Sequence, residues 1–415
     1  MSTSKRAWIV CCIASLFYAY IMALGVSPSI MVKPLLATFH IDMLHFSNLS
    51  AFFFYATLIM QIPAAVILER VDIKKAITVA FLVGLVGNFL FVITHYVLLA
   101  EIGRVLAGFA NAFAFVGVLR LMSTWLPEEK MGAASALVMS FGVFGAILAN
   151  LVLPQFVISK NWQFVMWLIF AFGVVGFGLM LWLTEEGPIH INASTPSWRW
   201  QVIWGQFKRS ILNPQILLAG MLAALFYLPI GVFASLWGPY YLQKVCGLSY
   251  DFSTKANALI FFGMVIAGPA IAFLSEKAGV RKPFLLGCLL LGLISMLLVF
   301  YVSLSIVLLL AVLLLVGVCS GAEGLSYTFA EEVDPGASLS MVFAIANLLC
   351  SLGVAVFQSL VGVLFAWRKT HLLEMHIAIH LPSLLKFSIS CVPVAFIIGI
   401  LLSFKLKETH VQGGS

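Results

Sequence analysis

Charged residues are scarce in this chain of 415 residues: Asp, Glu, Lys and Arg make up 9% of it, against 62% hydrophobic residues. A soluble domain carries roughly 25% charged residues. The mean hydropathy is +1.10, and no soluble core could hide so much apolar surface, so lipid must be the solvent for most of the chain. The composition therefore excludes a soluble protein and predicts an integral membrane protein.

The chain also has no stripe of basic residues, although its formal net charge is +7. The Lys and Arg residues lie in short pieces between apolar runs, which excludes nucleic acid as a partner. No nucleotide loop, metal cluster or nucleophile–histidine pair is present in the apolar runs. We therefore expect no cofactor and no metal, and a protein that is not an enzyme.

Histidine and cysteine are few and badly placed for chemistry. All eight histidines fall in loops or at the ends of apolar runs, which argues against a buried histidine proton relay. His376 and His380, near His371 and Glu374, have the spacing of a metal pair on a helix, but a third and a fourth ligand at firm spacing are missing. The seven cysteines follow no metal or redox spacing and are expected to be small packing residues.

Twelve apolar runs are long enough to cross a bilayer, which takes roughly 20 residues each. The first and seventh runs, about 8–36 and 214–242, are unusually long and contain Pro28 and Pro229. Proline kinks a helix because it removes a backbone donor, and kinked helices often line a transporter cavity. Between the sixth and seventh runs, residues 185–213 form the longest hydrophilic stretch and are expected to include an amphipathic helix on the membrane surface.

The basic residues of the loops predict the orientation. With the N-terminus inside, fourteen Lys and Arg residues face the cytoplasm and six face outward. Because cytoplasmic loops carry an excess of basic residues, both termini are expected in the cytoplasm. The sequence thus predicts a multi-pass protein of the cell inner membrane, with the lipid bilayer as its surroundings and a monomer as its state.

The chain repeats itself at about half its length. Residues 69–75 (Glu-Arg-Val-Asp-Ile-Lys-Lys) match residues 276–282 (Glu-Lys-Ala-Gly-Val-Arg-Lys) at an offset of 207, and Leu-Phe-Tyr recurs at 16–18 and 225–227 at an offset of 209. Several matches in the same order argue for two homologous six-span halves. We place the N-terminal half at 1–184, the linker at 185–213 and the C-terminal half at 214–415.

The loop after the second run resembles the signature of the major facilitator superfamily through Arg70, Lys74 and Lys75, and its second copy through Gly279, Arg281 and Lys282. The fourth run resembles the Arg-x-x-x-Gly element of the family through Arg104 and Gly108. The resemblance implies the all-α major facilitator fold, with 12 transmembrane helices in two pseudo-symmetric halves. It also implies that Glu69, Arg70 and Glu276 belong to charge clusters that latch and release the halves.

The first two runs resemble a narrower group. Residues 27–31 (Ser-Pro-Ser-Ile-Met) and 53–57 (Phe-Phe-Tyr-Ala-Thr), with 60–63 (Met-Gln-Ile-Pro), are similar to the phagosomal-transporter-like facilitators of intracellular bacteria. That group is associated with the uptake of amino acids and nucleosides. The resemblance implies an amino acid as the first guess for the substrate.

Charges inside the apolar runs are costly, at roughly 2.5–3.5 kcal/mol each on insertion scales, and should be few without a use. Arg104 lies one turn from Glu101, so an intrahelical pair and a substrate or coupling role are both open. Glu323 and Arg120 have opposite charge and similar predicted depth on spans that are pseudo-symmetric partners. We hypothesise that they pair in one state and that protonation of Glu323 releases the pair; local pairing of each is the alternative.

Neutral polar residues in the runs supply the remaining candidates for substrate binding, because pockets place a few polar groups among aromatic side chains. Each of them could instead form a helix–helix hydrogen bond. The candidates for substrate binding, with Arg104, are Tyr20, Tyr55, Asn111, Tyr227, Trp237, Tyr327, Asn347 and Gln358.

The sequence favours a secondary active transporter that takes up a small polar metabolite together with protons by alternating access. A nucleoside, an organic acid or a siderophore remains open as the substrate, and so does export. A non-transporting membrane sensor is the rival from another class.

Overall fold

The computed structural model describes residues 3–184, 200–333 and 339–408. These residues form helices and no strand, and twelve helical segments are long and apolar enough to cross a membrane. The predicted all-α architecture with twelve spans is therefore confirmed. Of the predicted linker, residues 185–199 lie outside the described residues, and the amphipathic stretch forms the helix Trp200–Leu212.

Seven of the twelve spans are single helices, and the longest of them is span 11. Their bounds are Met43–Arg70 for span 2, Ile73–Ile93 for span 3, Val97–Ser123 for span 4, Trp162–Leu183 for span 6, Tyr250–Ala278 for span 8, Lys282–Tyr301 for span 9 and Leu339–Glu374 for span 11.

The other five spans are built from shorter helices joined end to end. Span 1 is Thr3–Val26 followed by the 3-10 turn Ser27–Ile30, and the helix Val32–Phe39 comes after it. Span 7 consists of Pro214–Leu228, the π-helical Pro229–Trp237 and Gly238–Lys244. The remaining three consist of two helices each: Glu128–Leu151 and Pro154–Ser159 in span 5, Ile306–Ser320 and Ala322–Val333 in span 10, and Leu381–Ile389 and Cys391–Ser403 in span 12. The breaks in spans 1 and 7 fall at Pro28 and Pro229, where the sequence predicts kinks.

The chain divides into two compact units. Unit 1 is Met1–Asp42 with Leu49–Pro196, and unit 2 is Met43–Asn48 with Ser197–Ser415. In unit 1, span 1 packs against spans 4, 5 and 6, and span 3 against spans 4 and 6. In unit 2, span 7 packs against spans 10, 11 and 12, and span 9 against spans 10 and 12. Each unit thus repeats the packing of the other with every span number raised by six.

Glycine permits the same close approach in both units. A Cβ at Gly108 of span 4 would overlap the carbonyl oxygen of Phe53 in span 2, and a Cβ at Gly317 of span 10 would overlap that of Ile260 in span 8. The two contacts are related by offsets of 209 and 207, the offsets of the sequence repeat. Small residues let membrane helices approach closely where lipid provides no hydrophobic drive between them.

We expect Gly317→Ala to lower the thermal unfolding midpoint of the purified protein, because the new methyl group must push span 10 away from span 8. Overpacking of this kind costs about 1–3 kcal/mol. The matched control is Gly287→Ala in span 9, where a Cβ meets nothing within 4 Å. Equal midpoints for the two variants would contradict the close packing of spans 8 and 10.

Candidate functional site

The break in span 1 leaves a backbone carbonyl without its helical donor. Residue 28 would normally donate to the carbonyl of Leu24, but Pro28 has no N–H. The guanidinium of Arg104 fills the gap, with Nη1 2.8 Å from Leu24 O, and Ser27 Oγ also donates to this oxygen at 2.9 Å. An arginine of span 4 thus completes the hydrogen bonding of span 1.

Arg104 is buried with 3% of its surface exposed, and its other contacts lie within unit 1. Nη2 lies 3.4 Å from Ser50 O, and the guanidinium carbon lies 4.8 Å from the centre of the Phe53 ring. Carbonyl dipoles and an aromatic face both stabilise a buried cation. Arg104 therefore joins spans 1, 2 and 4, whereas its contact with substrate stays a prediction.

Asn111 lies two turns further along span 4 and bonds to the same neighbouring helix. Its Nδ2 donates to Thr57 Oγ1 at 3.1 Å, and the Thr57 hydroxyl lies 2.8 Å from Phe53 O and 3.0 Å from Gly108 O. Tyr55, on span 2, is half-buried, as Asn111 is. Both lie in unit 1 and are partly accessible, and their contact with substrate stays a prediction.

Span 7 changes its hydrogen-bonding pattern in the middle of its length. Pro229–Trp237 is π-helical, and the N–H of Gly238 still bonds five residues back, to Phe233 O. All nine residues of this segment are buried. π-Helical turns are rare and are frequently found at functional sites.

Side chains from spans 8 and 11 compensate for the irregular backbone of span 7. In the five-residue pattern Ala234 O would next accept from residue 239, which is a proline. Asn257 Nδ2 of span 8 donates to this oxygen instead, at 2.8 Å. Gln358 Nε2 of span 11 donates to Gly231 O at 2.7 Å. Sequence reasoning missed Asn257. The one feature of the sequence that could have indicated it is Pro239, because a proline has no N–H and leaves a carbonyl earlier in the helix without a donor.

Glu323 occupies the first turn of the second helix of span 10, just after the break at Gly321. Only 6% of its surface is exposed. Oε1 accepts a hydrogen bond from Tyr327 Oη at 3.1 Å and lies 3.9 Å from Cys350 Sγ of span 11. Oε2 is buried and has no hydrogen-bond partner among the residues that the structure describes.

A second tyrosine, from span 7, completes this group of side chains. Tyr227 and Tyr327 both pack against Ala223, Ala224 and Cys350. The tyrosines are half-buried, and Tyr327 Oη lies 3.4 Å from Cys350 Sγ. We call Tyr227, Glu323, Tyr327 and Cys350 the Glu323 cluster; it joins spans 7, 10 and 11.

The charge of Glu323 is uncompensated within the described part of the chain. Two ion pairs of unit 2 join Lys255 to Asp251 and Arg281 to Glu332, and no cation of the described residues pairs with Glu323. An isolated carboxylate in a low-dielectric environment is expensive, whereas a protonated carboxyl group is neutral and can also donate a hydrogen bond. The Glu323 cluster is therefore suited to binding and releasing a proton. Cys350 was expected to be a packing residue only, and its spacing in the sequence carries no sign of this contact.

The loop between spans 8 and 9 holds its charges differently from the expected latch. Glu276 is exposed, and Arg281 instead pairs with Glu332 at the end of span 10, with Nη2 and Nε 2.8 and 3.2 Å from Oε1. The backbone N–H groups of Arg281 and Lys282 donate to Glu408 Oε1. The acids that contact this loop include Glu332 and Glu408, both of which sequence reasoning missed. The gating role of Glu276 stays a prediction.

In the first copy of this loop, Arg70 is exposed, and the side chain of Glu69 lies outside what the structure describes. Arg120 lies in the last turn of span 4 in unit 1 and is half-buried. The gating roles predicted for these three residues remain predictions.

The other predicted site residues are packed inside their own units. Tyr20 is fully buried, and its hydroxyl donates to Gly84 O at 3.4 Å. Trp237 has 1% of its surface exposed and packs edge-on against Phe46. Asn347 is half-buried. Tyr20, Trp237 and Gln358 thus occupy helix–helix positions, and their contact with substrate stays a prediction.

His371 and His380 contact different residues. The His371 ring stacks on Trp367, and His380 Nδ1 lies 2.9 Å from Ser383 Oγ. Across the described ranges, no group of three His, Cys, Asp or Glu side chains could hold a metal ion.

Comparison with known proteins gives one family. The family model described as "Major Facilitator Superfamily" matches residues 9–358. The chain is 23% identical over 337 residues to the "Probable galactarate/D-glucarate transporter GudP" of Escherichia coli (strain K12), covering 72% of this chain and 73% of the relative. It is 30% identical over 138 residues to the "Probable galactarate/D-glucarate transporter GarP" of the same strain, covering 32% and 30%.

Solved structures share the fold. A bacterial homolog of the human lysosomal transporter Spinster, in an inward-facing and unoccupied conformation, superposes with a TM-score of 0.75 at 16% identity, covering 96% of each chain. The inward-facing and occupied conformation gives a TM-score of 0.71 at the same identity and coverage. The predicted major facilitator fold is therefore confirmed, whereas the resemblance to the phagosomal-transporter-like group stays a prediction.

We expect Asn257→Leu to lower the thermal unfolding midpoint, because Ala234 O loses its donor in a buried setting. Leaving a buried polar group unsatisfied costs about 1–3 kcal/mol. The matched control is Ser295→Ala, which removes a buried side-chain bond to Leu291 O, a carbonyl of its own regular helix. If the control variant loses as much stability as Asn257→Leu, Asn257 does not have this special role.

Proposed function

Because the chain belongs to the major facilitator superfamily, we propose that it is a proton-coupled secondary transporter that takes up a small polar metabolite by alternating access. The family match covers most of the chain, and the related proteins are transporters. The chain is therefore a membrane transporter of small molecules and not an enzyme. Proton coupling, the direction of transport and the substrate are the parts that we propose.

The observation that carries proton coupling is the isolation of Glu323. Its Oε2 has no partner among the described residues, and the neighbours of its Oε1 are a phenol and a thiol. Neither group compensates a full negative charge as a cation would. Protonation removes the charge, and deprotonation favours any state that brings a cation or water to the cluster. A ligand or ion shifts a conformational equilibrium only through such a difference between states.

Arg120 is our candidate for the cation that meets deprotonated Glu323. Both side chains come from pseudo-symmetric spans, 4 and 10, and both lie in the second half of their span. In the proposed cycle the pair forms in one state of the transporter and breaks when Glu323 is protonated. We test Glu323 before Arg120, because the contacts of Glu323 with Tyr327 and Cys350 lie within a single unit.

For the substrate we propose a polar metabolite that carries a carboxylate. The relative that covers most of the chain is named as a galactarate/D-glucarate transporter, which favours a sugar acid. The resemblance of the first two spans to the phagosomal-transporter-like group favours an amino acid. Both classes share the carboxylate, and Arg104 and Asn111, two turns apart on span 4, are the polar groups of unit 1 that we propose to contact it.

The surroundings and orientation complete the proposal. Fourteen basic residues in one set of loops against six in the other favour cytoplasmic termini in the cell inner membrane. We propose a monomer as the working unit.

We expect Glu323→Gln to abolish substrate uptake driven by a pH jump in proteoliposomes, because the amide binds no proton in this range. Exchange of labelled for unlabelled substrate across the same membranes, without a pH gradient, should continue at a rate within a few-fold of the wild type. The control is Glu331→Gln, an exposed acid at the end of the same helix.

Uptake by Glu323→Gln that still follows the imposed pH gradient would refute the coupling role of Glu323. Loss of both uptake and exchange, with a wild-type unfolding midpoint, would show that Glu323 serves the substrate instead. Absence of any flux in the wild-type protein, despite ligand binding, would favour a sensor.

We expect a carboxylate-bearing ligand to raise the thermal unfolding midpoint of the purified protein, because a ligand that binds only the folded state stabilises it by about 2.7 kcal/mol at 100 times its Kd. The panel consists of D-glucarate, galactarate, a set of L-amino acids and nucleosides, with glucose as the neutral control. Stabilisation by nucleosides or glucose alone would contradict a carboxylate substrate.

A further inference from the structure

Unit 2 contains an open pocket that lies apart from the Glu323 cluster. Its volume is about 520 Å³, and it lies where span 7 begins and where spans 10 and 12 end. The side chains that matter for its chemistry are Arg209, Leu212, Gln215, Val333 and Lys407. They include two cations and no acid, so the pocket favours an anionic ligand.

The wall that carries Lys407 is held in place by specific hydrogen bonds. Gln215 Nε2 donates to Lys405 O at 3.1 Å, and Gln215 Oε1 accepts from the backbone N–H of Lys407 at 2.9 Å. Lys282 Nζ donates to Phe404 O and Leu406 O at 3.1 and 2.9 Å. The segment after span 12 is thus fixed against span 7, and the side chain of Lys407 stays exposed at the pocket.

The amphipathic helix Trp200–Leu212 also lines the pocket, through Arg209 and Leu212. Arg209 is exposed on this helix, and so are two large apolar side chains, Trp204 at 55% and Leu212 at 67%. A helix with apolar and basic faces lies in the interface of a bilayer, with its apolar groups toward the acyl chains and its basic groups at the headgroups. The pocket therefore opens at the level of the lipid headgroups.

We propose that this pocket binds the phosphate group of an anionic phospholipid. Arg209 and Lys407, which both line the pocket, contact the phosphate, and Leu212 and Trp204 pack against the acyl chains. Basic pockets at the ends of membrane spans bind such headgroups, and arginine suits phosphate oxygens because its donors form a planar fork. The bound lipid ties the amphipathic helix to the segment after span 12 and so stabilises unit 2.

The test is native mass spectrometry of the full-length protein in detergent, with phosphatidylglycerol or phosphatidylcholine of identical acyl chains. The wild type should retain phosphatidylglycerol in preference to phosphatidylcholine, and Arg209→Gln combined with Lys407→Gln should weaken that binding about tenfold or more. The matched control combines Lys208→Gln with Lys405→Gln. It removes the same charge from the same two segments, at residues that do not line the pocket.

Three results would overturn the proposal. Equal retention of the two lipids by the wild type would exclude a site for the headgroup. Equally weakened phosphatidylglycerol binding in both double variants would show that the effect depends on net charge and not on this pocket. Stabilisation by inorganic phosphate without any lipid preference would assign the pocket to a free anion. Both double variants should keep the wild-type unfolding midpoint in lipid-free detergent, which separates lipid binding from misfolding.

Discussion

Within a bilayer no water is available for an exposed N–H or C=O group, so the protein must satisfy every backbone polar group itself. Span 1 is interrupted at Pro28, and span 7 is irregular from Pro229 to Pro239. In each span a side chain from a neighbouring span donates to a carbonyl that lacks its helical donor. Arg104 donates to Leu24 O in unit 1, and Asn257 donates to Ala234 O in unit 2. The irregular spans are thereby fixed to spans 4 and 8.

The same physics applies to the side chain of Glu323, which is acidic and buried. The backbone breaks of spans 1 and 7 have donors, whereas Oε2 of Glu323 is buried with no hydrogen-bond partner in the described ranges. A buried carboxylate without a partner raises the free energy of the folded protein, so any event that pairs or neutralises it is favoured. Protonation is the simplest such event, because it removes the charge. The open pocket lined by Arg209 and Lys407 is a separate feature of unit 2, because both of these side chains are exposed.

Much of the fold could be read from the sequence, because hydrophobicity and length determine what can cross a bilayer. The apolar runs gave twelve spans, and the repeat at offsets of 207 and 209 reappears as the paired glycine contacts of Gly108 and Gly317. The prolines marked where spans 1 and 7 break. Neither the apolar runs nor the prolines show the direction of each helix face. The sequence therefore did not reveal that Arg104 bonds to a carbonyl of span 1.

The site could be predicted only in part, because the sequence does not show which way each helix face points. Glu323, Tyr227 and Tyr327 were selected as polar groups in apolar runs, and the structure brings these three together with Cys350, which no spacing rule singled out. Arg281 and Glu332 pair across 51 residues, a contact that the loop motif does not reveal. Contacts between distant segments depend on helix rotation, which one sequence does not fix.

The central claim is that Glu323 is the group that gains and loses the transported proton. Infrared difference spectroscopy on substrate binding measures this directly, because a protonated carboxyl group has its own carbonyl stretching band. We predict a band change in the wild type that is absent from Glu323→Gln and unaltered in Glu331→Gln. A band change that persists in Glu323→Gln would show that another acid carries the proton and would contradict the account.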